Sequence, residues 1–301
     1  MSPVIHLVDA TYELFRAHYA PRPPVLGIGG RQLSGVSGLV DQLCYLLRDE
    51  GATHVGCATD RVIESFRNDL YSGYKSSAGM PPELLTHFPI AEQAIEALGL
   101  VLWPMVEFEA DDAIGAACRR FAADPAVERI FICTPDKDMA QLVEGERIVL
   151  LDRRRRITYD EAGVWEKWGV APTSIPDWLA LVGDSSDGFP GLAGWGAKSA
   201  AAVLARYPHL EDIPEKAFAW DVARLRGGPV LAATLREHWD DALLFRSLAR
   251  LRSVEDGVPI PQTSPEDLRW QGTPRARWEA FCDQWGLASL RNRPHRWLAD
   301  G

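Results

Sequence analysis

The chain has 301 residues, 47% of them hydrophobic and 25% charged, which is the composition of a soluble globular protein with room for more than one domain. Its 32 Lys and Arg against 42 Asp and Glu leave a net charge of −10, which argues against a non-specific nucleic-acid coat but allows a local basic face. No apolar run reaches the roughly 18 residues of a membrane span, and no signal-peptide pattern opens the chain. We therefore expect a cytoplasmic protein with no membrane partner.

The five cysteines are scattered and mostly lie in apolar runs, which predicts reduced core thiols rather than a disulfide framework. They form no CxxC pair, and the histidines show no ligand spacing. A zinc site is therefore not expected.

Acidic residues follow four apolar segments that are typical of buried parallel strands. VIHLVD ends at Asp9, THVGCATD ends at Asp60, and RIFICTPDKD ends with Asp136 and Asp138. The fourth segment, LVLWPM, precedes the stretch VEFEADDAIG. Helical patterns lie between these segments, so the sequence predicts an α/β fold with a mostly parallel sheet flanked by helices.

The stretch VEFEADDAIG crowds Glu109, Asp111 and Asp112 at the predicted start of a helix. Taken alone, helix capping explains these acids as well as a metal site does. In open α/β sheets, however, ligands bind at the carboxyl ends of the strands, where all of these acids fall. Asp184 and Asp187 in VGDSSDG add two more carboxylates. Such an oxygen-rich set suits two or more Mg²⁺ ions, for which Mn²⁺ can substitute.

The stretch GLAGWGAKSA, residues 191–200, is only superficially similar to an ATP-binding phosphate loop. Ala197 separates Gly196 from Lys198, and no strand leads into the glycines. A helix, a glycine hairpin and a second helix remain. The free N–H groups at the start of that second helix suit a nucleic-acid phosphate.

Two further segments leave alternatives open. Residues 61–87 mix basic and aromatic side chains, which favours either contacts to unpaired nucleotides or a surface helix with buried anchors. RIVLLDRRRRITY, residues 147–159, predicts a β-hairpin whose turn is four arginines. A solvated edge hairpin is slightly favoured there over a phosphate contact.

Five motifs, in order, resemble the 5′-nuclease (flap endonuclease) family, which includes the 5′–3′ exonuclease domain of bacterial DNA polymerase I and its stand-alone relatives. They are VDATYELFRAHYA, FRNDLYSGYK, FEADDAIG, TPDKDMAQLV and GDSSDGFPGLAGWGAKSA. The resemblance runs from about residue 4 to about residue 252. It implies a PIN-like nuclease domain at 1–170 with a helical arch at about 61–87. A helical DNA-binding region would follow at 171–301, with a helix-hairpin-helix (H3TH) at about 184–206.

The resemblance also implies roles for individual residues. The metal ligands would be Asp9, Asp60, Glu109, Asp111, Asp112, Asp136, Asp138, Asp184 and Asp187. Lys75 and Arg67 would neutralise the scissile phosphate beside the catalytic carboxylates Asp136 and Asp138. Contacts to DNA would come from Arg16, Arg67, Lys75, Gly191, Gly194, Gly196, Lys198 and Ser199, with K⁺ at the helix-hairpin-helix.

Three departures from the family pattern stand out. Ala78 occupies the position of a second arch cation, Pro135 replaces a glycine, and Gly188 replaces an asparagine. None of them removes a carboxylate. The first, however, removes a cation that would contact a phosphate.

The sequence therefore predicts a monomeric, metal-dependent 5′–3′ exonuclease and flap endonuclease. Its substrates would be DNA flaps, nicks or 5′ ends, with some activity on RNA, and a DNA polymerase would be a partner in trans. A weakly active or catalytically silent DNA-binding paralogue and a PIN-class RNase remain as alternatives.

Overall fold

The computed structural model describes residues 2–223 and 225–299 of the chain. Its strands are β1 Val4–Asp9, β2 His54–Asp60, β3 Val101–Met105, β4 Arg129–Cys133, β5 Ile148–Asp152 and β6 Ile157–Tyr159. Its helices are α1 Ala10–Tyr19, α2 Ser34–Arg48, α3 Phe66–Leu70, α4 Pro82–Leu85, α5 His87–Ala97, α6 Ala110–Ala122, α7 Glu161–Trp168, α8 Ile175–Val182, α9 Ala197–Leu204, α10 Gly228–Glu237, α11 Trp239–Ala249 and α12 Arg275–Trp285. Short 3₁₀ turns join several of them.

The chain forms two compact units, each assembled from separate segments. The sheet unit contains residues up to 63, 77–134 and 252 onward, and the helical unit contains residues 64–76 and 135–251. The domain division predicted near residue 170 stays a prediction.

The core of the sheet unit is four parallel strands in the order β3-β2-β1-β4. The mostly parallel α/β fold expected from the sequence is confirmed. The strands are largely buried, as their apolar character predicts. Gly56 in β2 leaves room for the ring of Trp103 in the neighbouring strand β3, because a Cβ atom there would lie 2.2 Å from that ring.

The C-terminal segment of the chain is part of the sheet unit. The Trp270 indole N–H and the Thr273 hydroxyl both donate to the Leu98 carbonyl, at 2.9 and 3.1 Å. The Trp103 indole N–H donates to Gln262 at 2.7 Å. These bonds attach the segment to the end of α5 and to β3, a packing role that the sequence motifs did not indicate.

The helical unit contains the predicted arginine hairpin and most of the later helices. β5 and β6 pair antiparallel, so the hairpin is confirmed. Its turn, Arg153–Arg156, includes the one non-glycine residue with positive φ among the described residues, Arg156 at φ 57°. A left-handed backbone costs a residue with a Cβ atom roughly 1–2 kcal/mol.

The segment 61–87, expected to be a helical arch, is less helical than predicted. Within it helix forms only over α3 and α4, before α5 begins at His87. Gly73, Gly79 and the pair Pro81-Pro82 explain this, because glycine and proline disfavour helix interiors.

The state of the cysteines and the length of the helices can be compared with what the composition predicts. All five cysteines are buried free thiols, and burial raises the pKa of Cys44 to about 12. Among the described residues, no helix is both long and apolar enough to cross a membrane.

Candidate active-site residues

Asp9 and Asp60 lie at the carboxyl ends of neighbouring parallel strands in the sheet unit. One Asp9 oxygen accepts the Tyr12 N–H at 2.8 Å and caps α1, while the other accepts the Thr134 hydroxyl at 3.0 Å. Asp60 accepts the N–H of Ala110, the first residue of α6, at 2.7 Å. Backbone geometry therefore fixes both carboxylates at this edge of the sheet.

The start of α6 supplies the other acids of the sheet unit. Glu109 is its N-cap residue, and the Glu109 N–H donates to Asp112 at 3.1 Å. The second Asp112 oxygen accepts the Arg252 N–H at 2.8 Å, and Asp112 is fully buried. Asp111 is half-buried. Asp112 therefore stabilises this helix start through backbone N–H groups, and its oxygen chemistry still suits a metal.

Three acids of the helical unit form a compact cluster. Asp138, Asp184 and Asp187 are buried, and each offers an oxygen within 4.8 Å of the others. Asp138 begins a 3₁₀ turn after β4, and Asp184 and Asp187 lie in the hairpin after α8. Asp136 is exposed two residues before Asp138. The structure thus brings together three of the four acids predicted for this part of the chain.

Two lysine side chains contact this cluster. The Lys137 ammonium lies 2.9 Å from Asp184, and the Lys75 ammonium lies 3.2 Å from Asp187. The Lys75 backbone N–H also donates to the Asp187 carbonyl at 2.8 Å. Lys75 was predicted as a site residue, whereas Lys137 was missed. The sequence feature that could have identified Lys137 is its position between Asp136 and Asp138.

The donor set of the cluster fits a hard divalent cation. Its ligand atoms are carboxylate oxygens, which Mg²⁺ and Mn²⁺ prefer, and they are buried at a spacing that one ion can span. Carboxylates this close repel one another unless positive charge is nearby. The two lysine contacts provide such charge in this structure.

The Arg67 side chain is held by backbone carbonyls of the helical unit. It is buried at 2% exposure, and it donates to the Leu248 carbonyl at 2.8 Å and to the Arg250 carbonyl at 3.0 Å. These carbonyls lie at the C-terminal end of α11, where a cation is favoured by the helix dipole. The structure therefore places Arg67 in contact with the end of α11, and its predicted contact with a phosphate stays a prediction.

The same helix end also holds the acidic turn. The Gln141 amide donates to the Ala249 carbonyl at 2.9 Å and to the Asp138 carbonyl at 2.8 Å. On the other side, the Asn68 amide in α3 donates to the Lys75 carbonyl at 2.9 Å. The end of α11 is thus linked through Gln141 to Asp138, and through Arg67 and α3 to Lys75. Neither amide was identified from the sequence.

The predicted helix-hairpin-helix consists of α8, a glycine-rich hairpin and α9. Gly191 has φ 70°, and a Cβ atom there would lie 2.3 Å from the Gly183 nitrogen, so the hairpin requires glycine. Gly196 is the N-cap residue of α9, where the Ser199 hydroxyl accepts the Gly196 N–H at 3.0 Å. Gly194 and Lys198 are exposed. The exposed start of α9 can therefore accept an anion.

Two other predicted features have clear local surroundings. Arg16 pairs with Glu13 on the same helix, and its side chain remains 21% exposed. Gly188 has φ 85°, and a Cβ atom there would lie 2.2 Å from the Gly73 carbonyl oxygen. Glycine at position 188, where the family pattern has asparagine, therefore allows the backbone of residue 188 to lie close to the Gly73 carbonyl, two residues before Lys75.

Family models match most of the chain. Residues 4–169 match the 5′-3′ exonuclease, N-terminal resolvase-like domain, and residues 170–276 match the 5′-3′ exonuclease, C-terminal SAM fold. The fold is thus a resolvase-like α/β domain followed by a SAM-type helical domain. The chain belongs to the 5′-3′ exonuclease family.

Curated relatives agree with this assignment. DNA polymerase I of Mycobacterium leprae is 33% identical over 99% of this chain and 32% of that protein. The 5′-3′ exonuclease of Bacillus subtilis is 32% identical over 69% of this chain and 72% of that protein. The chain thus spans about a third of the length of the DNA polymerase I relatives that it matches.

Solved structures share the fold at low sequence identity. A bacteriophage T5 flap endonuclease, solved with DNA and metal ions, superposes with a TM-score of 0.65 at 17% identity, covering 82% of this chain and 89% of that chain. The catalytic core of Rad2, in complex with DNA substrate, gives 0.59 at 13% identity, covering 94% and 86%.

Proposed function

We propose that the chain is a metal-dependent 5′–3′ exonuclease and 5′-flap endonuclease that hydrolyses DNA phosphodiesters. The observation that carries the proposal is the cluster of Asp138, Asp184 and Asp187 in contact with Lys75 and Lys137. Membership of the 5′-3′ exonuclease family supports the same reaction.

Each unit contains one group of proposed metal ligands. In the sheet unit the group would be Asp9, Asp60, Glu109, Asp111 and Asp112, and in the helical unit Asp136, Asp138, Asp184 and Asp187. Bound Mg²⁺ or Mn²⁺ would supply an activated water and charge stabilisation of the leaving 3′ oxygen. Lys75 would exchange its contact with Asp187 for one with the substrate phosphate and neutralise the charge that develops there.

The exposed start of α9 would hold the DNA duplex. The exposed Gly194 and the backbone N–H groups of Lys198 and Ser199 in the first turn of α9 would face a phosphate, while Gly196, whose own N–H donates to the Ser199 hydroxyl, begins that turn. K⁺ at the same hairpin is part of this proposal, as is a DNA contact from Arg16. We further propose a cytoplasmic monomer that acts on DNA or RNA 5′ ends, with a DNA polymerase as a partner in trans.

Cleavage of a labelled 5′-flap duplex tests this proposal. With Mg²⁺ the wild type should release the flap, and EDTA should abolish the release. Asp136→Asn should slow cleavage strongly. Asp160→Asn is the matched control, because Asp160 caps α7 and asparagine is an equally good N-cap residue. Cleavage that Asp136→Asn leaves unchanged would reject the proposed metal role.

A second experiment addresses the position of the missing arch cation. Ala78 is exposed, so Ala78→Arg should fold normally and add a charge that can reach DNA. We expect faster flap cleavage with unchanged thermal stability. An unchanged or reduced rate would show that the absent cation does not limit the reaction.

The alternatives give different outcomes in the same assay. A silent DNA-binding paralogue would bind the flap duplex without cutting it in Mg²⁺ or Mn²⁺. A PIN-class RNase would cut an RNA flap and leave the DNA flap intact.

A further inference from the structure

The hairpin turn Arg153–Arg156 concentrates positive charge in a chain whose net charge is −10. Arg154, Arg155 and Arg156 are exposed. Asp152 closes the turn by accepting the Arg155 N–H at 2.9 Å, and it lies 3.5 Å from the Arg155 guanidinium. Within the described part of the chain, no carboxylate forms an ion pair with Arg154 or Arg156. The turn therefore presents guanidinium groups to solvent.

Arg156 also adopts an unfavourable backbone conformation. Its φ of 57° is left-handed, which in hairpin turns favours glycine or asparagine. Packing does not explain the arginine, because its side chain is exposed and the following residue, Ile157, is 40% exposed. Strain of this kind, held where no core requires it, points to a function of the side chain.

The base of the hairpin adds aromatic rings and another cation. The Lys167 ammonium lies 4.0 Å from the centre of the Tyr159 ring and 4.3 Å from that of Trp168. Of the acids nearby in the sequence, Asp160 caps α7 through the Gly163 N–H at 2.8 Å and Glu161 accepts the Gly145 N–H at 3.2 Å, while Glu166 is exposed. This surface combines cations with aromatic rings, as protein surfaces that bind nucleic acid do.

We propose that Arg154, Arg155 and Arg156, which belong neither to the carboxylate groups nor to the helix-hairpin-helix, bind the phosphodiester backbone of DNA. The inference takes as its ligand the DNA of the proposed function. A guanidinium group matches phosphate geometry through paired N–H donors. Several such groups on one turn suit a ligand with repeated phosphates, and binding releases the counterions of that ligand.

Salt-dependent binding tests the site directly. Binding of a labelled 5′-flap duplex is measured by fluorescence anisotropy in EDTA, where no cleavage is expected, across a KCl series. For Arg154→Gln/Arg156→Gln, the slope of log K against log salt should become shallower by about 0.9 for each phosphate that the variant no longer neutralises. The control Arg48→Gln/Arg269→Gln removes the same charge from two exposed arginines, which pair with Asp49 and Glu266. The control should keep the wild-type slope.

Two single variants separate charge from backbone strain. Arg156→Gly removes both and should raise the melting temperature while it weakens DNA binding. Arg156→Lys keeps the charge and should keep most of the affinity. Equal slopes for the double variant and its control would overturn the proposal, as would an Arg156→Gly protein that binds DNA like the wild type.

Cleavage rates distinguish this inference from the proposed nuclease function. At saturating DNA the double variant should cut at the wild-type rate, and only its KM should rise. A wild type that binds DNA with the expected salt slope but never cuts would reject the nuclease proposal and leave the arginine site intact.

Discussion

The two groups of carboxylates are held in different ways. In the sheet unit, Asp9, Asp60 and Asp112 each accept a backbone N–H at 2.7–2.8 Å. In the helical unit, Asp184 also accepts a backbone N–H, from Ser186 at 2.9 Å, but Asp184 and Asp187 in addition contact the ammonium groups of Lys137 and Lys75. A backbone N–H is fixed by the fold, whereas a lysine side chain can move away when another cation arrives. The first group is therefore built into the architecture, and the second can exchange its counter-charge.

The largest expected effect comes from the same substitution made in each group. Asp112→Asn and Asp184→Asn should both slow flap cleavage by more than about 100-fold. Both residues are proposed metal ligands, and losing a ligand should cost more than the roughly 10- to 100-fold typical of losing a residue that only orients a ligand. Their stabilities should differ. Asp112→Asn should lower the free energy of unfolding by about 1–3 kcal/mol, because its two oxygens accept N–H groups from Glu109 and Arg252, and an amide has one acceptor oxygen.

Asp184→Asn should not lower stability in EDTA. An asparagine oxygen can still accept the Ser186 N–H, now at 2.9 Å, and the substitution relieves repulsion among the three clustered carboxylates. Thermal unfolding in EDTA measures both variants against Asp160→Asn. Equal losses of stability for Asp112→Asn and Asp184→Asn would remove the distinction between the two groups.

The next effect concerns the anchoring of Lys75. Arg67→Met should lower the free energy of unfolding by about 3 kcal/mol, because it leaves the carbonyls of Leu248 and Arg250 buried without this donor. It should also slow cleavage, with Arg67→Lys partly restoring both properties. Arg206→Met is the matched control, since Arg206 is exposed and pairs only at the surface with Asp221. An Arg67→Met protein with normal stability and a large loss of DNA binding would instead support the phosphate contact predicted from the sequence.

These cases show which features the sequence could predict. The strands and the acids at their ends follow from short apolar runs that stop at a carboxylate, as at Asp9 and Asp60. The hairpin and the helix-hairpin-helix follow from local glycine and charge patterns. The sequence could not show where the Arg67 side chain goes, because its acceptors lie 181 and 183 residues away. For the same reason, it did not reveal Gln141 or the packing of the C-terminal segment.

A smaller effect tests whether lysine and metal compete. Lys137→Gln should raise the affinity of the helical-unit carboxylates for Mg²⁺ about fivefold, because the partly exposed ion pair with Asp184 corresponds to at most about 1 kcal/mol. Calorimetric titration with Mg²⁺ measures this directly. Lys167→Gln, which changes the charge of the same unit away from the acids, is the control. Weaker Mg²⁺ binding by Lys137→Gln would mean that the lysine organises the carboxylates instead of competing for them.

The smallest effect is a difference in acid sensitivity between the units. Burial lowers the pKa of His87 in the sheet unit below its usual 6.5, so its contribution to stability is complete above pH 6.5 and is lost as the pH falls below that value. In the helical unit, the hydrogen bond from Arg246 lowers the pKa of Glu211 from 4.5 to about 2. Its contribution is complete above pH 4.5 and is lost as the pH falls toward 2.

Hydrogen exchange at mildly acidic pH measures this difference. Corrected for intrinsic rates, protection in the sheet unit should fall just below pH 6.5 while that in the helical unit persists. His87→Gln should reduce the change in the sheet unit. Equal acid sensitivity of both units would contradict the assignment of the sheet unit's acid sensitivity to His87.

The end of α11 has a consequence for how the chain becomes active during synthesis. Lys75 is made early, but the carbonyls that hold Arg67 belong to Leu248 and Arg250. A nascent chain that has not reached these residues lacks the anchor for α3, although most of its carboxylates are already present. A nuclease assembled in this order would gain its anchored Lys75 only after residue 250 has been synthesised, which would protect nearby nucleic acid from an incomplete enzyme.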